Sequence, residues 1–338
     1  MKQLNTGIIG MGRIGRIHAR NLQFMIPDAT VSAIAEVDQA VLDQAASELQ
    51  VPVAKTDYRY LLDDPGIKAV VICSPTDTHV PVVIDAARAG KHIFCEKPVA
   101  LDIALIDQAL AEVSRSGVKL MVGFNRRFDP GFRKARETIV RGDIGVPYLV
   151  RITSRDPAPP PLNYIEVSGG LFLDMMIHDF DMARFLLAEE VVELCASSAC
   201  LVDPAIGKAG DVDTALVLLR YRSGALGAID NCRRAVYGYD QRIEVLGSAG
   251  AVSVGNKTPT ELTVAREDAV RSEKPLFFFL ERYQEAYLAE MNEFVGCVLE
   301  DRTTPVGGLD GRISVAMANA AGESAKKGGF VKVHPPTQ

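Results

Sequence analysis

The sequence predicts two domains, an α/β domain built on a doubly wound parallel sheet and an α+β domain with a large, mainly antiparallel open sheet. Up to residue 124, short apolar runs alternate with helical patterns, as expected for a parallel sheet covered on both faces. From residue 191 the apolar runs become longer and alternate with polar residues, and turns such as RSGA and GSAG join them. That change is typical of antiparallel strands.

The first domain is expected to span residues 1–124. Its apolar runs predict strands, and the stretches between them have the spacing of amphipathic helices. The predicted strands contain TGIIG, TVSAIAEV, KAVVICS, KHIFCE and VKLMVGF, and the predicted helices contain GRIHARNLQF, residues 39–49, VPVVIDAARAG and IALIDQALAEVSRS. Strands that are joined through helices in this way lie parallel to one another.

The second domain is expected to span residues 125–338. A helix (DPGFRKARETIV) precedes a strand (PYLVRITSRD), a proline-rich loop and a further helix, GGLFLDMMIHDFDMARF. The strands of the open sheet follow, and then two helices containing LFFFLERYQEAYLAEMNEFVGCVLE and GRISVAMANAAGESA. We expect the cleft between the two domains to be the binding site, because ligand sites are common at domain interfaces.

Composition and charge narrow the class of protein. The 338 residues include 37 Lys and Arg and 43 Asp and Glu, a net charge of −6, whereas a nucleic-acid surface needs clustered basic residues. The six cysteines form no C-x-x-C pair, which argues against a zinc site or a disulfide framework. The N-terminal segment has no signal-peptide core, and no apolar stretch reaches the ~20 residues that span a bilayer. We therefore expect a cytoplasmic protein that binds neither nucleic acid nor membranes.

A glycine-rich turn, GMGRIG, follows the first predicted strand and fits the G-x-G-x-x-G pattern of dinucleotide-binding Rossmann domains. Gly10 would make the tight turn, Gly12 would let a pyrophosphate approach the main chain, and Gly15 would allow close packing of helix and strand. The phosphates would lie at the amino end of a helix, where main-chain N–H groups favour anions. Arg13 and Ile14 belong to the same turn, and Arg13 would either contact phosphate or lie on the surface.

Glu36 ends the second predicted strand, about 20 residues beyond the last glycine of the turn. A carboxylate there accepts hydrogen bonds from ribose hydroxyls and repels a 2′-phosphate, so the sequence predicts NAD rather than NADP. Asp38 adds to the same negative charge. Ser74, Thr76 and His79 follow the strand KAVVICS and are candidates for cofactor contacts. Helix capping by Ser74 or Thr76, and a packed position for His79, are the alternatives.

The first long helix of the second domain is apolar, yet it holds Asp174, His178 and Asp181 at spacings of four and three. On one continuous helix these side chains would fall within roughly 60° of one another. An imidazole beside a carboxylate is suited to proton transfer near neutral pH. A self-satisfied polar cluster is the alternative, in which Asp181 would pair with Arg184 or Arg126. A metal site is disfavoured, because no Cys accompanies the set and the other His residues are distant in sequence.

The tripeptide Glu96-Lys97-Pro98, combined with GMGRIG, resembles the glucose–fructose oxidoreductase/inositol dehydrogenase/rhizopine-catabolism (Gfo/Idh/MocA) family. The resemblance extends to GFNRRFDPGF, SRDPAPPP, GGLFLDMMIHDFDMARF and YGYDQRIEVLGSAGAV, which lie across both domains. It implies an NAD-dependent dehydrogenase that oxidises myo-inositol to the 2-keto compound scyllo-inosose. It also implies a Rossmann domain joined to an open-sheet domain that forms a homotetramer.

The same resemblance implies roles for individual residues. The family's catalytic Lys, Asp and His fall on Lys97, Asp174 and His178, and its Glu beside the nicotinamide ribose falls on Glu96. Its further polyol contacts fall on a second set of positions, namely Asn125 or Arg126, Asp156, Asp181 and Tyr237.

In this interpretation His178 is the general base that removes the hydroxyl proton, and Asp174 orients or strengthens it. Lys97 would stabilise the developing alkoxide. Three alternatives stay open from the sequence alone. They are a dehydrogenase of another cyclic polyol or a pyranose, such as scyllo-inositol or glucose, an NAD-binding sensor without catalysis, and a sugar-binding module without a cofactor.

Overall fold

The structure is a computed structural model that describes residues 3–333. These residues form two compact units. The first unit contains the described residues up to Phe128 together with Glu285–Val315, and the second contains Asp129–Gln284 together with the described residues from Ala316 onward. The sequence-based division at residue 124 gave each domain one continuous segment. In the structure the chain returns to the first unit after it has formed most of the second.

The first unit is built on a six-stranded sheet in which all the paired strands are parallel. Its strands are β1 (Leu4–Ile9), β2 (Ala29–Ala35), β3 (Val53–Lys55), β4 (Ala69–Ile72), β5 (His92–Glu96) and β6 (Leu120–Gly123). Its first helices are α1 (Arg13–Arg20), α2 (Gln39–Leu49), α3 (Arg59–Asp63), α4 (Thr76–Arg88) and α5 (Ile103–Ser116). The strand order β3-β2-β1-β4-β5-β6 is that of a Rossmann fold, which confirms the predicted doubly wound sheet.

Local signals in the sequence explain where these helices begin and end. The Asp38 carboxylate caps α2 by accepting hydrogen bonds from the N–H groups of Ala40 and Val41. Asp102 caps α5 in the same way, and Gly117, with φ +66°, ends it in the left-handed conformation. Asp38 therefore has a structural role as a helix cap, in addition to the charge that the sequence assigned to it.

The strand order reverses between β1 and β4, which are neighbours in the sheet. At such a switch point the crossover helices leave in opposite directions, and a crevice opens at the carboxyl ends of the two strands. The turn GMGRIG follows β1, and the segment SPTDTH follows β4. The topology thus places both sequence motifs at the edge of the sheet where ligands bind.

The second unit is built on a seven-stranded mixed sheet with the order β12-β11-β7-β10-β9-β8-β15. Its strands are β7 (Pro147–Arg155), β8 (Val191–Ala199), β9 (Thr214–Tyr221), β10 (Leu226–Cys232), β11 (Asp240–Gly247), β12 (Gly250–Val254) and β15 (Val331–Lys332); β13 (Thr263–Ala265) and β14 (Val270–Ser272) form a separate hairpin. Among the described strands of this sheet only β7 and β10 pair in parallel, so the predicted open, mainly antiparallel sheet is confirmed.

The helices of the rest of the chain flank or follow these strands. They are α6 (Pro130–Val140), α7 (Leu162–Ser168), α8 (Gly170–Asp174), α9 (Ile177–Leu187), α10 (Pro204–Lys208), α11 (Phe279–Arg282), α12 (Gln284–Leu299) and α13 (Gly308–Lys327). Every helix within residues 3–333 is too short or too polar to serve as a membrane span.

The prediction of one continuous helix over GGLFLDMMIHDFDMARF is wrong, because α8 and α9 are separate helices. The N–H groups of both Met175 and Met176 donate to the carbonyl oxygen of Leu171, at 3.1 and 2.9 Å, which interrupts the regular four-residue ladder. Asp174 ends α8, and His178 lies in the first turn of α9. Asp174 and His178 are therefore not related by one regular helical turn, whereas His178 and Asp181 keep their spacing of three within α9.

Candidate active site

The glycine-rich turn joins β1 to α1 with almost no free space around two of its three glycines. Gly10 has φ +91°, and a Cβ atom there would lie 2.5 Å from the main-chain nitrogen of Ser74. A Cβ atom at Gly15 would overlap the carbonyl oxygen of Gly10. Neither position can carry a side chain, because the overlapping atoms belong to the main chain. The sterically required glycines thus pack the turn against the segment after β4.

Gly12 is different, because a Cβ atom there would meet no atom of the described chain within 4 Å. Gly12 directly precedes α1, whose first N–H groups receive no side-chain cap. Open space above a glycine, next to uncapped N–H groups, fits a pyrophosphate that approaches the main chain at a helix amino end. In the same turn Arg13 is exposed and Ile14 is half-buried. These residues therefore fit the dinucleotide that the sequence predicts.

Glu36, at the end of the second strand, is held against the glycine-rich turn. Its Oε2 accepts a hydrogen bond from the N–H group of Met11 at 2.7 Å, and its Oε1 accepts one from Asp38 at 3.2 Å. Each carboxylate oxygen keeps a further lone pair, so the group can still accept hydrogen bonds from a ligand. The geometry places a fixed negative charge beside the turn that would hold a pyrophosphate.

The segment after β4 does not use Ser74 or Thr76 as a helix cap, since Pro75 occupies that position. The Ser74 hydroxyl instead lies 2.6 Å from that of Thr78. His79 is buried, and its ring nitrogens lie 2.8 Å from the carbonyl oxygens of Ser74 and Pro98. Both ring nitrogens thus face the main chain, which favours the packed position for His79.

The segment Glu96-Lys97-Pro98 begins at the last residue of β5, at the same edge of the sheet. One Glu96 oxygen lies 2.7 Å from Nε2 of His18, and the other accepts a hydrogen bond from the Lys97 N–H group at 3.3 Å. His18 also lies 3.9 Å from the buried carboxyl group of Glu290 in α12. Neither His18 nor Glu290 was selected as a site residue from the sequence. In the sequence, Glu290 stands out only as a charged residue within the apolar pattern of α12.

Asn125 and Arg126 lie in a short 3-10 turn directly after β6 and are 3% and 5% exposed. The Nδ2 atom of Asn125 is buried and has no hydrogen-bond partner among the described residues. A buried amide without a partner is costly unless a ligand or water satisfies it. The position is therefore suited to a hydroxylated ligand.

In the second unit, the Asp174 carboxylate contacts two groups that the sequence did not identify. Its Oδ1 accepts a hydrogen bond from the Tyr164 hydroxyl at 2.8 Å, and its Oδ2 lies 3.4 Å from Nη1 of Arg233. Arg233 is 1% exposed and also pairs with Asp211 at 3.4 Å. Burial, and then the charge of Asp174, raises the pKa of the Tyr164 hydroxyl, so the phenol stays protonated and able to donate. Asp174 is thus fixed by an ion pair and by a neutral donor.

His178 is half-buried on α9, and Asp181, three residues later, is 1% exposed. The guanidinium of Arg184, one alternative partner for Asp181, forms two contacts with Glu190 at 2.6 and 2.7 Å.

Asp179 was also missed by the sequence interpretation. It is fully buried and accepts hydrogen bonds from Ser154 at 2.6 Å and Asn231 at 2.9 Å. Since Asp179 is adjacent to His178, these bonds to β7 and β10 anchor the first turn of α9.

The remaining predicted polyol contacts, Asp156 and Tyr237, lie near the ends of β7 and β11. The Tyr237 hydroxyl donates to Asp240 at 2.6 Å and accepts a hydrogen bond from Arg155 at 3.0 Å. Asp156 donates its main-chain N–H group to Cys232 at 3.0 Å. Both residues thus belong to hydrogen-bonded networks of the second unit, while Lys97, Asn125 and Arg126 belong to the first.

A Rossmann sheet, a glycine-rich turn at its switch point and a carboxylate beside that turn define a dinucleotide-binding protein. The family model described as "Oxidoreductase family, NAD-binding Rossmann fold" matches residues 4–124, and the model of the Gfo/Idh/MocA C-terminal domain matches residues 132–253. The chain belongs to the Gfo/Idh/MocA family of oxidoreductases.

Relatives match this chain along nearly its whole length. It is 50% identical to the myo-inositol 2-dehydrogenase of Thermotoga maritima over 98% of both chains. It is 47% identical to the inositol 2-dehydrogenase of Rhizobium meliloti over 93% of this chain and 94% of that one. The crystal structure of scyllo-inositol dehydrogenase from Lactobacillus casei, with bound NAD(H) and scyllo-inositol, matches with a TM-score of 0.91 and 32% identity, covering 98% of this chain and 99% of that one.

Gly12 and Gly15 lie in different surroundings, so substitution by alanine should have a different effect at each. In Gly12→Ala the new methyl group meets no atom of the chain, so we expect an unchanged melting temperature and an NAD affinity at least about tenfold weaker. In Gly15→Ala the methyl group overlaps the main chain, so we expect a loss of about 1–3 kcal/mol of stability. Thermal unfolding and calorimetric NAD titration of both variants check this. Equal destabilisation of the two variants would contradict the assignment of Gly12 to the ligand.

Proposed function

We propose that this protein is an NAD-dependent inositol 2-dehydrogenase that oxidises myo-inositol to scyllo-inosose. The observation that carries the proposal is the match along nearly its whole length to enzymes with this name, in a chain whose own glycine-rich turn and Glu36 fit a dinucleotide. The first unit would bind the cofactor, and the second would supply substrate contacts and assembly. We also propose that the enzyme acts in the cytoplasm, where NAD is available.

The proposed chemistry assigns each catalytic residue one task. Oxidation of a secondary alcohol removes a proton from oxygen and a hydride from carbon, and leaves a ketone. Bound NAD supplies the acceptor for the hydride. His178 accepts the hydroxyl proton, for which an imidazole is suited near neutral pH. The ammonium group of Lys97 stabilises negative charge as it develops on the substrate oxygen.

The contacts of Asp174 sharpen its proposed role. Because Arg233 and Tyr164 hold its carboxylate from two sides, its position is fixed before any substrate binds. A carboxylate held in this way can orient an imidazole or a substrate hydroxyl without reorganising. Arg233 and Tyr164 are therefore positioning residues in this proposal. Asp179, next to His178 in the chain, anchors the first turn of α9 through its bonds to Ser154 and Asn231.

Oxidation of scyllo-inositol is the second candidate function. The Lactobacillus casei scyllo-inositol dehydrogenase shares the fold of this chain over nearly all of its length. The two inositols differ only in the configuration of one ring hydroxyl, so one set of catalytic groups can serve both. The polar side chains proposed to surround the ring, among them Asn125, Asp156 and Tyr237, would then decide the preference.

A substrate panel tests the proposed function. Purified protein should reduce NAD, followed by NADH absorbance, with myo-inositol as the best substrate among myo-inositol, scyllo-inositol and glucose. NADP should give a much lower kcat/KM, because its 2′-phosphate would meet the Glu36 carboxylate. If the protein turns over none of these polyols, the enzyme assignment is contradicted. A preference for NADP contradicts the role of Glu36 alone, so the two results are separable.

Replacement of His178 should separate chemistry from cofactor binding. In His178→Ala we expect kcat to fall about 10²–10⁴-fold, the usual contribution of a positioned general base. NAD affinity and melting temperature should stay near wild type, because the imidazole is half-buried in the second unit and the predicted NAD contacts lie in the first. Steady-state kinetics and calorimetry measure these quantities. A variant that also loses NAD binding would indicate a structural role instead.

We further propose that the enzyme assembles as a homotetramer through the exposed face of the seven-stranded sheet. Large apolar side chains lie on three of its strands with 44–59% of their surface exposed, namely Leu216, Leu218, Leu226 and Leu246. Along β9 the exposed residues alternate strictly with buried ones, so one face of the sheet is left uncovered. An apolar sheet face of this kind is typical of a subunit interface.

Charge placed on that face should change the oligomeric state. We expect light scattering to give the mass of a tetramer for the wild type and a lower mass for the Leu216→Glu/Leu218→Glu variant, because two buried carboxylates would destabilise the interface. Leu105→Glu, on the exposed side of α5 in the first unit, is the matched control and should remain tetrameric. A monomeric wild type, or an unaffected double variant, would disprove the proposed interface.

A further inference from the structure

Three titratable side chains form a buried cluster in the first unit that the proposed chemistry does not use. They are His18 on α1, Glu96 at the end of β5 and Glu290 on α12, and we call them the His18 cluster. One nitrogen or oxygen atom of each residue lies within 4.8 Å of those of the other two. The side chains of His18 and Glu290 have no exposed surface, and that of Glu96 keeps 14%. Burial restricts the protonation states of such a cluster, because a buried charge without partners is costly.

The contacts of His18 favour a hydrogen on Nε2 of its ring. Nε2 lies 2.7 Å from an oxygen of Glu96, so an N–H group there donates to the carboxylate. Nδ1 is buried and has no hydrogen-bond partner among the described residues. The ring packs edge-on against Phe94 and Tyr287, at centroid distances of 5.1 and 5.7 Å. A second hydrogen, on Nδ1, would therefore be buried without an acceptor, which disfavours it.

The carboxyl group of Glu290, like Nδ1 of His18, could hold the second proton of the cluster. Both of its oxygens are buried, and neither has a hydrogen-bond partner among the described residues. Burial, and then the charge of Glu96, raises the pKa of Glu290 well above its usual value. The titratable groups that face it are His18 from α1, Glu96 from β5 and the thiol of Cys73 after β4. Burial raises the pKa of Cys73 as well, so the thiol adds no charge.

We propose that Glu290 is a positioning residue that is held as an uncharged carboxylic acid beside the Glu96 carboxylate, so that the His18 cluster carries a single negative charge on Glu96. The same number of protons could be arranged as an imidazolium between two carboxylates. That arrangement leaves the Nδ1 hydrogen of His18 without an acceptor, whereas a Glu290 carboxyl oxygen lies within 4.8 Å of the Glu96 carboxylate, which is an acceptor for the acid hydrogen. The His18 cluster lies in the first unit, and its protonation state does not depend on which polyol is oxidised.

The position of Glu96 has consequences for the segment that follows it. Its Oε2 accepts the hydrogen bond from Lys97 and lies over Gly123 of β6, where a Cβ atom would be only 2.9 Å away. The carboxylate is thus confined between β6, α1 and α12 at the ligand-binding edge of the sheet. A second charge on Glu290 would repel it from this position, and with it the start of the Glu96-Lys97-Pro98 segment.

Infrared spectroscopy and unfolding measurements test the protonation state directly. Wild-type protein should show a protonated-carboxyl band at pH 7–8 that Glu290→Gln lacks and that the exposed-site control Glu285→Gln on the same helix retains. Above pH about 4.3 the unfolded chain releases the Glu290 proton, while the folded protein keeps it. Wild type should therefore lose stability relative to Glu290→Gln as pH rises, by up to about tenfold in the folding equilibrium constant per pH unit. Wild type and Glu285→Gln should differ by a constant amount.

NAD binding tests the positioning role, since it needs no substrate. Glu290→Gln should bind NAD with nearly wild-type affinity, because its amide can still donate to Glu96. Glu290→Leu, which has similar volume but no donor, should bind NAD about tenfold more weakly, the effect of losing one hydrogen bond to a charged group. If the Leu variant does not fold, the infrared and Gln measurements still decide the proposal.

Three results would overturn the proposal. They are the absence of a carboxyl band that depends on Glu290, a stability difference between wild type and Glu290→Gln that does not change with pH, and co-purification of a metal ion that Glu290→Gln loses. The last result would mean that Glu290 is an ionised ligand instead of a neutral acid. Failure of the inositol assay would leave all of these measurements interpretable, because none of them uses turnover.

Discussion

The first unit depends on the close contact between the turn after β1 and the turn after β4. Gly10 and Gly15 permit it, because a side chain at either position would overlap main-chain atoms. The contact brings the amino end of α1 to the switch point of the sheet and leaves the space above Gly12 clear. The anion-binding amides and the Glu36 carboxylate are therefore placed by backbone packing, which no side-chain rotation can alter.

Periodicity was sufficient to predict the long elements of both units. The parallel strands read as continuous apolar runs because helices cover both faces, and α2 and α5 carry their own caps and stop signals. The three-residue β3 and the five-residue α3 were missed, because neither is long enough to show a period. The break between α8 and α9 was missed for a different reason. Met175 and Met176 are good helix formers, and only the main-chain bonds to Leu171 reveal the interruption.

For the candidate site, sequence motifs identified residues but not their partners. GMGRIG could be interpreted in detail because its physics is local to one turn. Asp174 could be selected as an unusual polar residue, yet its partner Arg233 is 59 residues away and nothing near Asp174 in sequence points to it. The same holds for Glu290, which reaches His18 from the far end of the chain. Long-range pairs of this kind depend on topology, which a single sequence specifies only indirectly.

The return of Glu285–Val315 to the first unit also has a consequence for how the molecule is made. This segment supplies Phe294, which packs on Phe94 at a ring distance of 5.8 Å, and Val306, whose carbonyl oxygen accepts a hydrogen bond from Val122 at the edge strand β6. A ribosome that has released only the first 128 residues has therefore produced a Rossmann sheet with an uncovered core and an open edge. The cofactor-binding unit is completed late in synthesis, after most of the second unit has emerged, so the contacts that close it are among those of highest sequence separation in the protein.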